Sequence, residues 1–83
     1  MNIDMWKQHT VAFRVLMLER LKGDCEYYLG YGGRSNNALW ADDPEEQIQT
    51  MTDIWNSLSP EERPRWLRMK DIQRFAEDMG VDI

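Results

Sequence analysis

The stretch from 42 to 58, DDPEEQIQTMTDIWNSL, contains a complete start signal for an α-helix, followed by a helical pattern of apolar residues. Asp43 is a typical N-cap, Pro44 suits the first helical position, and Glu45 and Glu46 complement the positive end of a helix. Apolar residues then recur every three or four positions: Ile48, Met51, Ile54 or Trp55, and Leu58. This spacing predicts a helix with one buried face, which must pack against other helices.

An earlier helix is predicted from a second apolar stripe. Its members recur at spacings of three and four: Trp6, Thr10, Phe13, Met17, Leu21, Cys25 and Tyr28. Asp4 is the candidate N-cap. Gly23 either kinks this helix or breaks it in two, since glycine costs about 1 kcal/mol in mid-helix. The helix is expected to end at "LGYGG", residues 29–33, with Gly30 in the left-handed conformation.

A third helix is predicted from about Met69 to Met79, with Gly80 as its stop. Its inward residues are expected to be Trp66, Leu67, Met69, Ile72, Phe75, Ala76 and Met79. Before it, "SPEERP" at 59–64 predicts a single helical turn, because Pro64 cannot sit inside a long helix. No segment has a strand pattern. We therefore predict one all-α domain over residues 1–83, a compact bundle of three main helices with an ordered glycine-rich loop.

Length and cysteine content narrow the class of protein. An 83-residue chain buries only about 60–65% of its unfolded surface, so its four tryptophans and six methionines must form a dense core. Cys25 is the only cysteine, which rules out an intramolecular disulfide and favours a reducing compartment. No signal-peptide pattern and no apolar run of about 20 residues is present. The expectation is a cytoplasmic protein that does not enter a membrane.

Charge is distributed unevenly along the chain, whose net charge is −5. The segment 42–62 contains seven carboxylates and no lysine or arginine: Asp42, Asp43, Glu45, Glu46, Asp53, Glu61 and Glu62. Such a field repels phosphate and suits a basic partner, so these residues are candidates for protein binding. Helix capping is the structural explanation of the first four, and they lack the spacing of a calcium loop. No metal or cofactor is expected.

The stretch from 24 to 40, DCEYYLGYGGRSNNALW, raises the question of a reactive site. A catalytic Cys25 would need a nearby histidine or cation, but His9 is sixteen residues away and Asp24 and Glu26 are adjacent. The glycines follow a helix rather than a strand, which favours helix termination over a phosphate-binding loop. We interpret this stretch as a structural corner with no catalytic residue.

For other polar residues both a binding role and a structural role are consistent with the sequence. Arg34, Asn36 and Asn37 could contact a partner, although Arg34 could also satisfy carbonyl groups at the end of the first helix. The sequence also contains a basic set interleaved with Trp66: Arg63, Arg65, Arg68, Lys70 and Arg74. Because the acidic segment is next to this set, a salt network within the chain or with a partner is the favoured explanation. A nucleic-acid-binding surface is the alternative.

Several phrases resemble a known family. They are "RLKGDCEYYLGYGGR", "LWA", "EEQIQTM", "IWNSL" and "P-R-WL" followed by Ile72. Over about residues 16 to 76 the chain is similar to the eleventh type of large polyvalent protein-associated domain, found in proteins of phages and conjugative elements. It departs from the family pattern at Gly33, where asparagine is expected, and at Arg68, where a capping serine or threonine is expected. The resemblance implies a mobile-element context and supplies no catalytic residues.

The sequence as a whole favours a non-catalytic interaction protein of a phage or other mobile genetic element in a bacterial host. Its expected partner is a host or element-encoded protein with a basic surface, and a defence enzyme inhibited by the acidic segment is one concrete version. A small nucleic-acid-binding regulator that uses the basic set is the alternative. The sequence leaves open whether the chain is a monomer or a dimer.

Overall fold

The computed structural model describes residues 3–82, and these fold into helices with no β-strand among them. In chain order the helices are α1 (Ile3–Trp6), α2 (Val11–Leu29), α3 (Pro44–Ser57) and α4 (Met69–Asp78). A short 3₁₀ turn, Asn36–Ala38, lies between α2 and α3. The all-α class and the three main helices are therefore confirmed.

Helix α3, the one predicted from the stretch 42–58, lies at the centre of the structure and packs against α1, α2 and α4. Its start follows the predicted chemistry, because the Asp43 carboxylate accepts a hydrogen bond from the Glu46 N–H at 2.9 Å and Pro44 is the first helical residue. Ile48, Met51 and Ile54 are buried in the core. The helix therefore needs neighbours on several sides.

The beginning of the first long helix differs from the prediction. Asp4 lies in the separate short helix α1, and α2 begins only at Val11, where the Thr10 hydroxyl accepts a hydrogen bond from the Phe13 N–H at 3.1 Å. Thr10 is an extended residue and therefore interrupts the helix. The glycine at position 23 neither kinks nor breaks α2 into two elements, since the helix continues through it.

The buried face of α2 also differs from the predicted stripe. Phe13 is 42% exposed and Thr10 is exposed, whereas Arg14 and Leu18 are buried. The observed face consists of Arg14, Leu18, Leu21, Cys25 and Tyr28. These positions also follow helical spacing, and the prediction missed Arg14 because it is a charged residue.

The connection from α3 to α4 forms a hydrogen-bonded turn rather than the predicted helical turn, and in it the Glu62 N–H donates to the Ser59 carbonyl at 2.9 Å. The Ser59 N–H donates to the Glu62 carboxylate at 2.8 Å, and this bond holds the pKa of Glu62 below its usual value. At the start of α4 the Arg68 N–H donates to the Asp71 carboxylate at 2.8 Å. The prediction that Trp66 points inward was wrong, because this side chain is 42% exposed.

The same connection wraps around Trp55. The indole N–H of Trp55 donates to the Leu67 carbonyl at 3.1 Å, and the Arg63 guanidinium lies 3.7 Å from the centre of the ring. Arg63 Nε also donates to the Trp55 carbonyl at 3.2 Å. The last helix ends as expected at Gly80, which has a positive φ of 76°. In the described part of the chain no helix is long and apolar enough to span a bilayer.

Candidate functional site

The glycine-rich stretch after α2 turns the chain back by a close backbone approach. The Gly32 N–H donates to the Tyr27 carbonyl at 2.6 Å, and a Cβ at position 32 would lie 2.8 Å from that oxygen. Gly33 and Arg34 have positive φ values of 59° and 60°. Gly30 does not, with φ −104°, so the prediction of a left-handed Gly30 was wrong. The reversal happens three residues later.

Side chains tie this corner to the rest of the molecule. The Asp24 carboxylate accepts a hydrogen bond from the Trp40 N–H at 3.0 Å. Gln47 is buried on α3, accepts from the Ala41 N–H at 3.0 Å and donates to the Leu21 carbonyl at 3.2 Å. These bonds hold the end of the corner against α2 and α3, which supports a structural role for the stretch.

Arg34 ties the corner to a helix other than the one expected. Its guanidinium Nη2 donates to the Asp78 carbonyl at 2.9 Å, at the end of α4, and its backbone N–H donates to the Tyr28 carbonyl at 2.9 Å. A cation is favourable at the negative end of a helix. Asn36 and Asn37 lie nearby in the 3₁₀ turn and are exposed. Arg34 therefore connects the corner to the C-terminal end of α4.

The Cys25 thiol is inside the core. Its Sγ lies 3.7 Å from Met51 Sδ, and burial together with the nearby Asp24 charge raises the pKa of Cys25 to about 12. His9 is exposed and its ring packs against Trp6 and Phe13. Cys25 is thus a protonated, inaccessible thiol at neutral pH. No group of histidine, cysteine or carboxylate side chains within residues 3–82 is arranged to hold a metal ion.

The acidic segment does not form one continuous surface. Asp42 to Glu46 lie at the start of α3, whereas Glu61 and Glu62 follow its end, roughly 20 Å away along the helix axis. Asp53 is only 3% exposed and accepts a hydrogen bond from the Gln49 amide at 2.9 Å. Asp53 was predicted to contact a partner and is corrected to an internal residue of α3.

A groove between α3 and α4 gathers other carboxylates that the sequence did not indicate. This hollow, the acidic groove, is about 660 Å³ in volume. It is lined by Glu45, Ile48, Gln49, Thr52, Met69, Gln73, Glu77, Val81 and Asp82. Of the predicted partner-binding residues only Glu45 belongs to it. Glu77 and Asp82 were missed because they lie far from the acidic segment in sequence and join it only by the packing of α4.

The basic residues meet in a different hollow, the Trp66 cleft, of about 410 Å³. It is lined by Lys22, Arg65, Trp66, Arg68, Asp71, Arg74 and Phe75. Three of the five predicted basic residues are therefore brought together, and Lys22 of α2 joins them. Arg63 is stacked on Trp55, and Lys70 is exposed on α4 outside the cleft. Negatively charged side chains thus line the acidic groove, and mainly positively charged ones line the Trp66 cleft.

The family model described as large polyvalent protein-associated domain 11 matches residues 11–79, which is most of the chain. The chain belongs to the large polyvalent protein-associated domain 11 family. This membership associates it with proteins of phages and other mobile genetic elements. Comparison with curated proteins and with solved structures found no significant match.

The departures from the pattern of large polyvalent protein-associated domain 11 have structural explanations. Gly33 has a positive φ, a conformation that asparagine also adopts more readily than most residues. Arg68 lacks a capping hydroxyl, and the Asp71 carboxylate caps the start of α4 by accepting the Arg68 N–H.

Proposed function

We propose that this chain is a non-catalytic protein-interaction protein of a phage or other mobile genetic element, acting in the cytoplasm of the bacterial host. Its partner is a host or element-encoded protein with a basic surface, and the acidic groove is the contact site. The observation that carries this proposal is the lining of the groove: three carboxylates and no lysine or arginine among the described residues that form it.

The groove combines apolar contact with charge. Ile48, Met69 and Val81 offer apolar surface between α3 and α4, while Glu45, Glu77 and Asp82 add carboxylates. Interfaces of this kind take affinity from a desolvated centre and partner choice from the surrounding charges. A basic helix or loop with an apolar anchor matches both features. A second hollow shares Glu45 and Asp82 and adds Asp43, which extends the negative surface.

The more specific form of the proposal is inhibition of a host defence enzyme. Enzymes that hold nucleic acid do so through basic grooves, to which a surface of carboxylates is complementary. Association of the family with mobile elements supports this reading, because such elements benefit from blocking host defence. The contact would occupy the basic groove and exclude its nucleic acid.

The test is affinity capture from a bacterial host lysate with three matched forms of the immobilised chain. The wild type should retain a basic protein, and the variant Glu45→Gln/Glu77→Gln should retain at least ten-fold less of it. The control Glu19→Gln/Glu26→Gln removes two charges from exposed α2 positions outside the groove and should bind as the wild type does. Equal capture by all three forms would contradict the site, and no specific capture would contradict the function.

The inhibitor form needs a separate experiment. Expression of the chain in a host with an active defence system should raise the plating efficiency of a restricted phage, and Glu45→Gln/Glu77→Gln should abolish the increase. Capture of a basic protein without any change in plating would support the binding function and reject inhibition of that defence system.

A small nucleic-acid-binding regulator remains the second candidate because of the Trp66 cleft. The five basic residues do not all lie together, since Arg63 is stacked on Trp55 and Lys70 is outside the cleft. Arg65, Arg68 and Arg74 do lie around one hollow. This observation favours local contact with a nucleic acid rather than a broad electrostatic surface.

A further inference from the structure

We propose that the Trp66 cleft binds single-stranded nucleic acid, with one base stacked on the indole of Trp66 and phosphates held by the surrounding cations. This site is distinct from the acidic groove, because the two hollows have no lining residue in common. The chain would then carry two separate binding surfaces of opposite charge.

The first observation is an aromatic ring available for stacking. Trp66 is 42% exposed although an indole is among the most favourable side chains to bury. It lines the Trp66 cleft and also a second hollow beside Gly23 on α2. Within residues 3–82 the aromatic ring contacts and the cation contact involve Trp6, His9, Phe13 and Trp55, but not Trp66. The indole therefore has exposed surface beside the cleft and no aromatic or cationic ring contact among these residues.

The second observation is local positive charge on an acidic protein. Lys22, Arg65, Arg68 and Arg74 line the cleft, against one carboxylate, Asp71. Asp71 already accepts the Arg68 N–H at 2.8 Å and lies 3.8 Å from Arg68 Nε, so it is held by the start of α4. The cleft has a net charge of +3 when these groups are ionised, while the whole chain has −5.

The carboxylates on the other side of Trp66 determine on which side of the indole the phosphates bind. Glu19 and Glu26 line the hollow beside Gly23, and Glu26 is ion-paired with Lys22 at 3.1 Å. A negatively charged ligand is therefore repelled on the α2 side and attracted on the α4 side. Phosphates are expected along Arg65, Arg68 and Arg74, with the base against the indole.

The combination favours a single strand over other anions. An acidic peptide would use the cations but gain little from the indole, and a duplex keeps its bases stacked away from it. A single strand offers both an accessible aromatic face and a phosphate on each side of it. Because only three or four cations take part, the logarithm of affinity should fall with the logarithm of salt concentration with a slope of about −2 to −3.

The experiment is fluorescence polarisation of a labelled twelve-residue oligothymidine with the full chain, from 25 to 200 mM NaCl. The wild type should bind with the shallow salt slope given above. Trp66→Ala should weaken binding roughly ten-fold, Trp66→Phe should weaken it less, and Arg65→Gln/Arg74→Gln should weaken it and reduce the slope by about 1 to 1.5. Circular dichroism and urea unfolding establish that each variant is folded.

Matched controls distinguish binding at this site from non-specific binding by other charged or aromatic residues. Tyr31→Ala removes an aromatic ring that is 95% exposed and outside the cleft, and Lys70→Gln removes a cation of α4 outside it. Both should bind within about two-fold of the wild type. Glu45→Gln/Glu77→Gln should also retain binding, so that failure of the acidic groove and failure of this site give different results.

Several outcomes would overturn the proposal. These are no binding by the wild type at 25 mM NaCl, equal binding by Trp66→Ala, or equal affinity for duplex DNA. Equal affinity for a polyglutamate peptide of the same charge would assign the cleft to acidic proteins instead. If sedimentation shows a dimer that Trp66→Ala dissociates, the exposed indole is a self-association contact and the proposal is rejected.

Discussion

Arg14 on α2 donates two hydrogen bonds to Ser57 in the last turn of α3. Its Nη1 lies 2.9 Å from the Ser57 carbonyl oxygen and 3.0 Å from the Ser57 hydroxyl, and both residues are buried. Carbonyl groups in the last turn of a helix lack partners within the helix. A buried guanidinium therefore completes the end of α3, and its charge is favourable at that end.

Replacing Arg14 by methionine should lower the free energy of unfolding by about 2–4 kcal/mol, because the Ser57 carbonyl would stay buried without this donor. The measurement is urea denaturation followed by circular dichroism. Lysine has a different geometry and supplies a point charge rather than a fork, so Arg14→Lys should recover only part of the loss. The exposed Arg20, which lies 4.0 Å from the Asp24 carboxylate, serves as control, and Arg20→Met should cost less than about 0.5 kcal/mol.

Gly23→Ala should stabilise the protein by about 0.5–1 kcal/mol, because α2 continues through this position and no atom lies within 4 Å of the added Cβ. Gly32→Ala is the matched contrast. Its Cβ would lie 2.8 Å from the Tyr27 carbonyl oxygen, so it should destabilise by about 1–3 kcal/mol. Urea midpoints compare the two variants, and a shift in the same direction for both would contradict this account of the corner.

Gln47→Glu should make the free energy of unfolding depend on pH, because Gln47 links the corner to α2 by hydrogen bonds. The amide of Gln47 donates to the Leu21 carbonyl, and a carboxylate cannot. We expect a loss of about 2–4 kcal/mol at pH 7. Burial raises the pKa of the introduced carboxyl in the folded state, so the loss should shrink as pH falls and protonation restores a donor. Gln73→Glu, at an exposed position of α4, should show no such recovery.

The Cys25 thiol should make the protein less stable at high pH. Its pKa is raised from 9.0 to about 12 in the folded chain, so the folded state retains a proton that the unfolded state releases. Stability from this group is complete below pH 9 and is lost as pH rises towards 12, with a slope of up to about 1.4 kcal/mol per pH unit. Cys25→Ala should lack this component when thermal unfolding is compared from pH 8 to 10.5.

Native labelling provides an independent check on Cys25. A thiol reagent at neutral pH should react at the rate of protein opening and should accelerate in urea. Immediate labelling in the native state would show an accessible thiol and contradict the buried position.

The predictions that succeeded depended on local chemistry. Asp43, Pro44 and Gly80 mark helix ends within four residues of themselves, and the structure places those ends where the sequence indicated. The start of α2 was missed because the apolar spacing runs on from Trp6 past Thr10, although Thr10 is extended and caps a new helix. Periodicity reports which residues share a face and does not detect an interruption of the backbone.

The candidate sites depended on contacts that no local pattern contains. Arg14 is buried because Ser57 lies opposite it, 43 positions away in sequence. Trp66 is exposed although its residue type predicted burial, and Lys22 joins Arg65 only because α2 and the segment before α4 line one cleft. Glu45 and Glu77 meet for the same reason. The sequence therefore shows which residues are charged but does not predict which of them lie around the same hollow.

The two contacts that the connection between α3 and α4 makes with Trp55 limit the length of this connection. Arg63 covers its ring and Leu67 accepts its N–H, so two points of one short connection are anchored on one side chain. An insertion or deletion between positions 58 and 67 would pull one anchor out of reach and shift the register in which α4 arrives.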